Sequence, residues 1–95
     1  MPEHCRPLLG IYARPGLGGW LQRLEWRDGQ LTFTVAESPG WRVVLTPSAD
    51  PDRFAIADGG SVPGGDVTFR RSADGRVASA FFLDTTWVRL DRVTA

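Results

Sequence analysis

Three stretches of the sequence carry residue types able to do chemistry: the adjacent His4 and Cys5, the glycine-rich run 16–19, and the carboxylates Asp50, Asp52 and Asp58. A cysteine nucleophile needs an imidazole within hydrogen-bond contact, normally brought from a distant position. Neighbours in an extended chain point to opposite faces. His4 and Cys5, the sole histidine and sole cysteine, are therefore expected as solvent-exposed bystanders in a proline-flanked segment. They also cannot supply the three or four clustered ligands that zinc requires. Gly16-Leu17-Gly18-Gly19 lacks the lysine and hydroxyl residue that end a phosphate loop, and lacks the helix whose N-terminus binds the anion. It reads as an inter-strand loop. Asp50-x-Asp52 with Asp58 has neither the spacing nor the closing glutamate of a calcium loop. These aspartates, with Asp66, Asp74 and Asp84, fall mostly at expected turns, where a carboxylate bonds nearby backbone N–H groups. The sequence points to no catalytic residue, no metal site and no cofactor.

The aromatic residues are the stronger signal. Four tryptophans stand at Trp20, Trp26, Trp41 and Trp87. Large rings are what the thin core of a short chain needs, so core packing is their first use. Trp20 and Trp41 begin strands beside glycine-containing turns, where the mouth of a barrel would lie, and are candidates for stacking on a ligand. Phe81-Phe82-Leu83 sets apolar side chains on both faces of one strand, so one face is available to another domain. The residues singled out for contact with a ligand or a neighbouring domain are Trp20, Trp41, Phe82 and Trp87. Arg42 and Arg89, on strand faces opposite Val43 and Val88, are expected on the solvated outside.

Size and charge bound the rest. Ninety-five residues make one domain. All eleven cations are arginines, eleven acidic residues balance them, and the net charge is zero. Binding to nucleic acid or to an anionic membrane rests on a basic excess, which is missing. No apolar run approaches the roughly 18–20 residues of a membrane helix. A lone cysteine leaves the fold without an internal disulfide. Neither compartment nor oligomeric state is legible.

The elements that must position these residues are strands. Around Asp28-Gly29 the chain alternates with period two: Leu24 and Trp26 before the turn, Leu31, Phe33 and Val35 after it. A strand sends successive side chains to opposite faces, so this pattern buries one face. Asp-Gly suits a two-residue hairpin turn, because both central residues must take positive φ. The same pattern recurs along the chain. Strands are expected over 8–13, within the hairpin 20–37, and over 41–46, 53–57, 66–71, 76–83 and 86–93. Turns are expected at 38–40, 72–75 and 84–85, and long loops at 14–19 and 58–65. On strand seven, Val77, Ser79, Phe81 and Leu83 share a face. Residues 1–7 read as a linker or disordered lead-in, a short helix within 1–9 being the one helical alternative. Residues 8–95 form a single β-barrel domain. Eight strands spaced about ten residues apart make a meander, and closure removes its exposed edges. The expected fold is all-β, a small eight-stranded antiparallel up-and-down (lipocalin-like) barrel. A sandwich is the alternative, with 58–65 as its one connection long enough to cross over.

Several motifs then occur in a telling order. Leu8, Gly10 and Tyr12 open the domain. Arg27-Asp28-Gly29-Gln30-Leu31, Leu45-Thr46-Pro47, Asp52-Arg53-Phe54, Val67-Thr68-Phe69-Arg70-Arg71, Ala73-Asp74-Gly75-Arg76-Val77 and Val88-Arg89-Leu90 follow. This series resembles the small lipocalin-like β-barrel domain that follows the catalytic domain in bacterial serine hydrolases related to β-lactamases and penicillin-binding proteins. The resemblance spans 8–93. It implies a non-catalytic accessory domain that shapes substrate access or packs against a catalytic domain or subunit. The S-x-x-K and K-T-G motifs of such enzymes are missing, and a chain without lysine cannot hold them. The alternatives are a stand-alone lipocalin-like binder of a small apolar or aromatic ligand, and a module for interaction or oligomerisation.

Overall fold

The computed structural model describes residues 2–14, 21–35, 37–57 and 65–90. Among them, eight antiparallel strands follow a short 3₁₀ helix, Glu3–Leu8. The strands are β1 (Gly10–Ala13), β2 (Leu21–Arg27), β3 (Gln30–Val35), β4 (Ser38–Pro47), β5 (Arg53–Ile56), β6 (Asp66–Arg71), β7 (Val77–Phe82) and β8 (Thr85–Leu90). Each pairs with the next in sequence. β8 returns to β1 through Ile11 opposite Leu90, Tyr12 opposite Arg89 and Ala13 opposite Val88, which closes an up-and-down barrel. The expected all-β barrel is thus the fold. Closure leaves no strand edge open to pairing with other chains.

The Asp28-Gly29 turn forms as expected. Arg27 pairs with Gln30, and the two residues between take φ of 49° and 79°. Gln22, Leu24 and Trp26 then face Val35, Phe33 and Leu31 on the inner side. Phe54 and Ile56, and Val67 and Phe69, are buried as their alternation implies. The interior is a chain of aromatic rings. Phe54 meets Phe69 edge-on at 5.8 Å, Phe69 stacks near Phe33, Phe33 stacks on Phe82 at 4.9 Å, and Phe82 stacks on Trp87 at 5.6 Å. Tyr12 packs against Phe33 and Phe69 from the β1 wall. Offset and edge-to-face pairs of this kind add to the burial of their area.

The N-terminal segment differs from a loose lead-in. Its 3₁₀ helix lies against one end of the barrel and buries Cys5 and Leu8. Leu8 therefore belongs to this helix and not to the first strand. The physical reason is cover: Cys5 and Leu8 join the main hydrophobic cluster with Tyr12, Leu31, Leu45 and Phe54, whose end would otherwise meet water. Three bonds latch the helix. The Tyr12 hydroxyl donates to the Leu8 carbonyl at 2.6 Å, and Arg89 donates to the carbonyls of Pro7 at 3.1 Å and Leu9 at 3.0 Å. Gly10 makes room for this. It has φ of 155°, and a Cβ there would lie 3.0 Å from the Arg89 Nε.

Other departures share one cause, local register. Ser38, expected in a turn, pairs with Val35, and the β3–β4 ladder resumes at Thr34 opposite Arg42, so residues 39–41 form an irregular insertion within β4. On β7, Arg71 pairs with Val77 and Arg70 with Ser79, which leaves Ala78 as a bulge. The bulge breaks the expected face. Val77, Ala80 and Phe82 point inward, while Phe81 and Leu83 are exposed. The following turn sits one residue earlier than expected, at Leu83-Asp84, both with φ of 55°, between Phe82 and its partner Thr85. This register sets Trp87 beside the inward Ala80 and Val88 beside the outward Ser79. Arg89 consequently shares Trp87's inner face, and Val88 lies outside at 40% exposure, the reverse of the expected arrangement.

Candidate functional site

The two ends of the barrel hold different polar chemistry. At the helix end, the polar groups are paired. Arg71 grips Asp52 through Nε and Nη2, at 3.0 and 2.9 Å, and donates Nη1 to the Gly75 carbonyl at 2.9 Å. The hydrogen-bonded Asp52 carboxylate holds the Arg71 guanidinium charged even more firmly than usual. Ser72 and the Arg76 backbone N–H both bond the Asp74 carboxylate, which lowers its pKa. Burial pushes the Tyr12 hydroxyl well above its ordinary pKa, with the Arg89 and Arg71 charges drawing it partly back. Every one of these groups serves the fold.

His4 and Cys5 also sit at this end. His4 is exposed, but Cys5 is buried at 2% exposure, so the expectation of two exposed bystanders holds for His4 alone. The Cys5 sulfur lies 3.7 Å from the His4 Nε2, and burial raises the thiol pKa, which disfavours the thiolate. A narrow crevice of about 60 Å³ runs past Pro2, His4, Cys5, Trp26 and Phe54. Among the described residues, no three of His, Cys, Asp and Glu gather as metal ligands would. No described helix is long and apolar enough to cross a membrane.

The far end is where β1 leaves the barrel, β2 enters it, and the Leu83-Asp84 turn lies. Here the inner wall carries buried polar atoms without partners. Gln22 is 1% exposed, yet neither its amide nitrogen nor its oxygen makes a hydrogen bond. The indole N–H of Trp87 and the Nε of Arg14 are likewise buried and unpaired. The Arg14 guanidinium carbon stands 5.6 Å from the centre of a Trp87 ring. Gln22 pairs across to Tyr12, Arg14 follows β1 directly, and Val88 opposite Ala13 brings Trp87 to the same end, so the three residues lie near one corner of the barrel. A buried polar group without a partner costs about 1–3 kcal/mol, and such groups are rare in folded proteins.

The outer wall of β7, β8, β1 and β2 carries the second unusual feature. Phe81, Val88, Leu90 and Leu21 are exposed at 37%, 40%, 44% and 43%. Cross-strand pairing puts Val88 beside Ala13, Ala13 beside Leu21, and Ile11 beside Leu90. These residues therefore form one continuous apolar strip on the outside. Leu83, at 47% exposure, stands at the end of the strip on the hairpin tip.

Of the residues singled out from sequence, Phe82 and Trp87 lie within the core stack, at 1% and 3% exposure. Trp41 is half-buried at the β4 irregularity, packed against the core cluster and lining an outer groove of about 400 Å³ with Arg42, Thr32 and Thr34. Trp20 lies outside the described residues. Among the described ones, Trp87 alone brings an unpaired polar atom to the far-end corner, with Phe82 stacked on its ring. Gln22 and Arg14 escaped the sequence reading, although Gln22 carried a signal. Within Gln22, Leu24 and Trp26 it is the one polar residue on the alternating face that must turn inward. No protein-family model, curated protein or solved structure matches the chain.

Proposed function

We propose that this chain is a non-catalytic lipocalin-like barrel module that packs its outer apolar strip against the catalytic domain of a serine hydrolase related to β-lactamases. The observation that carries this reading is the strip of Phe81, Val88, Leu90, Ile11 and Leu21 on the β7–β8–β1–β2 wall. Contiguous apolar surface of this kind marks contact with another protein. Leu83 supports it. A leucine at φ 55° is disfavoured, and about half of its surface is exposed, so its burial among the described residues offsets little of that cost. The ordered motifs that resemble the hydrolase-associated barrel are what favours a serine hydrolase domain as the partner. The aromatic stack that occupies the interior favours a packing module over a carrier of a bulky apolar ligand.

The test has two steps. The reading frame encoding the chain, or the one beside it, should carry a segment with S-x-x-K; a frame and neighbours without one would sink the partner assignment. That catalytic domain should then bind the isolated barrel in sedimentation equilibrium. Phe81→Asp with Val88→Asp, both on the outer wall, should abolish the complex while leaving the circular dichroism of the barrel unchanged. Undiminished binding by the double variant would refute the strip as the docking face.

A further inference from the structure

We propose that Gln22, Trp87 and Arg14 form a small-molecule site at the far end of the barrel interior, which takes a compact carboxylate bearing an adjacent N–H or O–H donor. This goes beyond the packing role and uses the opposite face of the wall, so the two stand or fall separately.

The chemistry of the ligand follows from the inventory of unpaired atoms. Gln22 offers an NH₂ donor and a carbonyl acceptor, Trp87 an indole N–H, and Arg14 its Nε–H. Three donor groups and one acceptor thus lie unpaired at the same end of the interior. A carboxylate presents two oxygens with about four lone-pair sites and matches the donors. The Arg14 charge selects an anion over a neutral carbonyl compound, and an N–H or O–H next to the carboxylate satisfies the Gln22 oxygen. Burial raises the selectivity. A ligand lacking one of these groups leaves a buried polar atom unpaired, which a site in water would not penalise.

Arg14 is the movable member. It is half-buried, lies at the end of β1, and touches Trp87 through a cation–π contact, an interaction weaker than a charged hydrogen bond to a carboxylate. Exchanging one for the other opens the corner and seats the anion. Gln22 and Trp87 are held by the sheet. Gln22 is fixed between Tyr12 and Val35, and Trp87 is stacked on Phe82. The proposed ligand is accordingly small, its polar head meeting these atoms only as Arg14 moves off the Trp87 ring.

The test is a titration of the ¹⁵N-labelled full chain with N-acetylglycine, followed by NMR. The Gln22 side-chain amide, the Trp87 indole N–H and the Arg14 Nε–H should shift together and saturably, with a single Kd. N-acetylglycine methyl ester, which lacks the charge, should leave all three in place. Gln22→Leu should raise the Kd at least about tenfold, the usual worth of a hydrogen bond to a charged group. Its spectrum reports whether the variant is folded, and the wild-type titration stands whether or not it is. No saturable shift at these groups up to roughly 50 mM, a level beyond any specific site of this size, would overturn the proposal. Equal shifts with the ester would overturn the carboxylate assignment. Contacts from the three N–H groups to water that N-acetylglycine does not displace would reduce the corner to a hydration site and also overturn it.

Discussion

The two ends of this barrel are built on opposite principles. At the helix end, Tyr12, Arg89, Arg71 and Asp52 each find a partner, glycine occupies the one position where a Cβ would strike Arg89, and the β2–β3 turn uses Asp28-Gly29. At the far end, Gln22, Trp87 and Arg14 leave polar atoms unpaired, and a turn of the same two-residue form uses Leu83-Asp84. Both turns require positive φ twice. Gly29 takes it at no steric cost, whereas Leu83 takes it against its side chain. One end spends its residues on stability and the other retains costs that stability alone would remove. Such costs gather where a surface has other work.

The contrast predicts opposite signs for mutations at the two ends. The largest effect belongs to Gly10→Val. The branched side chain meets both a φ of 155° and the Arg89 guanidinium, so chemical denaturation should show a loss of about 3 kcal/mol. A loss under 1 kcal/mol would mean that the latch yields freely. Tyr12→Phe comes next, costing about 1.5 kcal/mol through the lost bond to Leu8. It also has a pH signature. The folded pKa of Tyr12 is raised, so above the ordinary value near 10 the unfolded chain gives up a proton that the folded chain keeps. Stability contributed by Tyr12 is complete below pH ~10 and falls by up to about 1.4 kcal/mol per pH unit above it. In a Cys5→Ser background, which removes a thiol whose pKa burial also raises, Tyr12→Phe should flatten that slope. An unchanged slope would show that Tyr12 is not its source.

At the far end the signs reverse. Leu83→Asn, a residue that accepts the left-handed conformation, should raise stability by about 1 kcal/mol. The smallest effect is that of Gln22→Leu, which removes two orphaned atoms while keeping an apolar body of similar length. The ligand-free chain should gain up to about 1 kcal/mol in the same denaturation measurement. A clear loss in both far-end variants would erase the distinction between the ends.

The helix end was also the more legible in sequence, and the reason is physical. Asp28-Gly29 announces its turn because its residue types match its backbone, and correct alternation on both sides follows from it. Leu83-Asp84 announces nothing, because leucine is among the residues such a turn disfavours. Reading the turn one residue late, and missing the Ala78 bulge, turns the expected faces of β7 and β8 over, which is why Arg89 was expected outside and Phe81 grouped with Val77. Period-two arguments carry no memory of a bulge, and a single extra residue inverts everything beyond it. The Glu3–Leu8 helix, only the alternative to a linker in sequence, was hard to read for a different reason. Two prolines and a few polar residues look unstructured until a barrel end needs covering, a tertiary demand that local sequence does not express. The far-end corner was half visible: Trp87 stood out among the tryptophans, while the inward alternation was traced only from Leu24 and left Gln22, two residues earlier on the same face, out of account.

The β1–β8 seam sets the timetable of folding. It joins the first strand to the last, and the Arg89 bonds to Leu9 and Pro7 link residues 80 and 82 positions apart. Consecutive hairpins can assemble as soon as they exist, but the seam waits for the final strand, so ring closure is the slow, entropically demanding step. During synthesis the chain would leave the ribosome as an open sheet with two bare edges, protected only when β8 arrives. The same adjacency makes the chain a candidate for circular permutation. Gly10 and Leu90 border one seam, so joining that side and reopening the chain at Asp28-Gly29 would keep every strand neighbour while converting the latest contact into a local one.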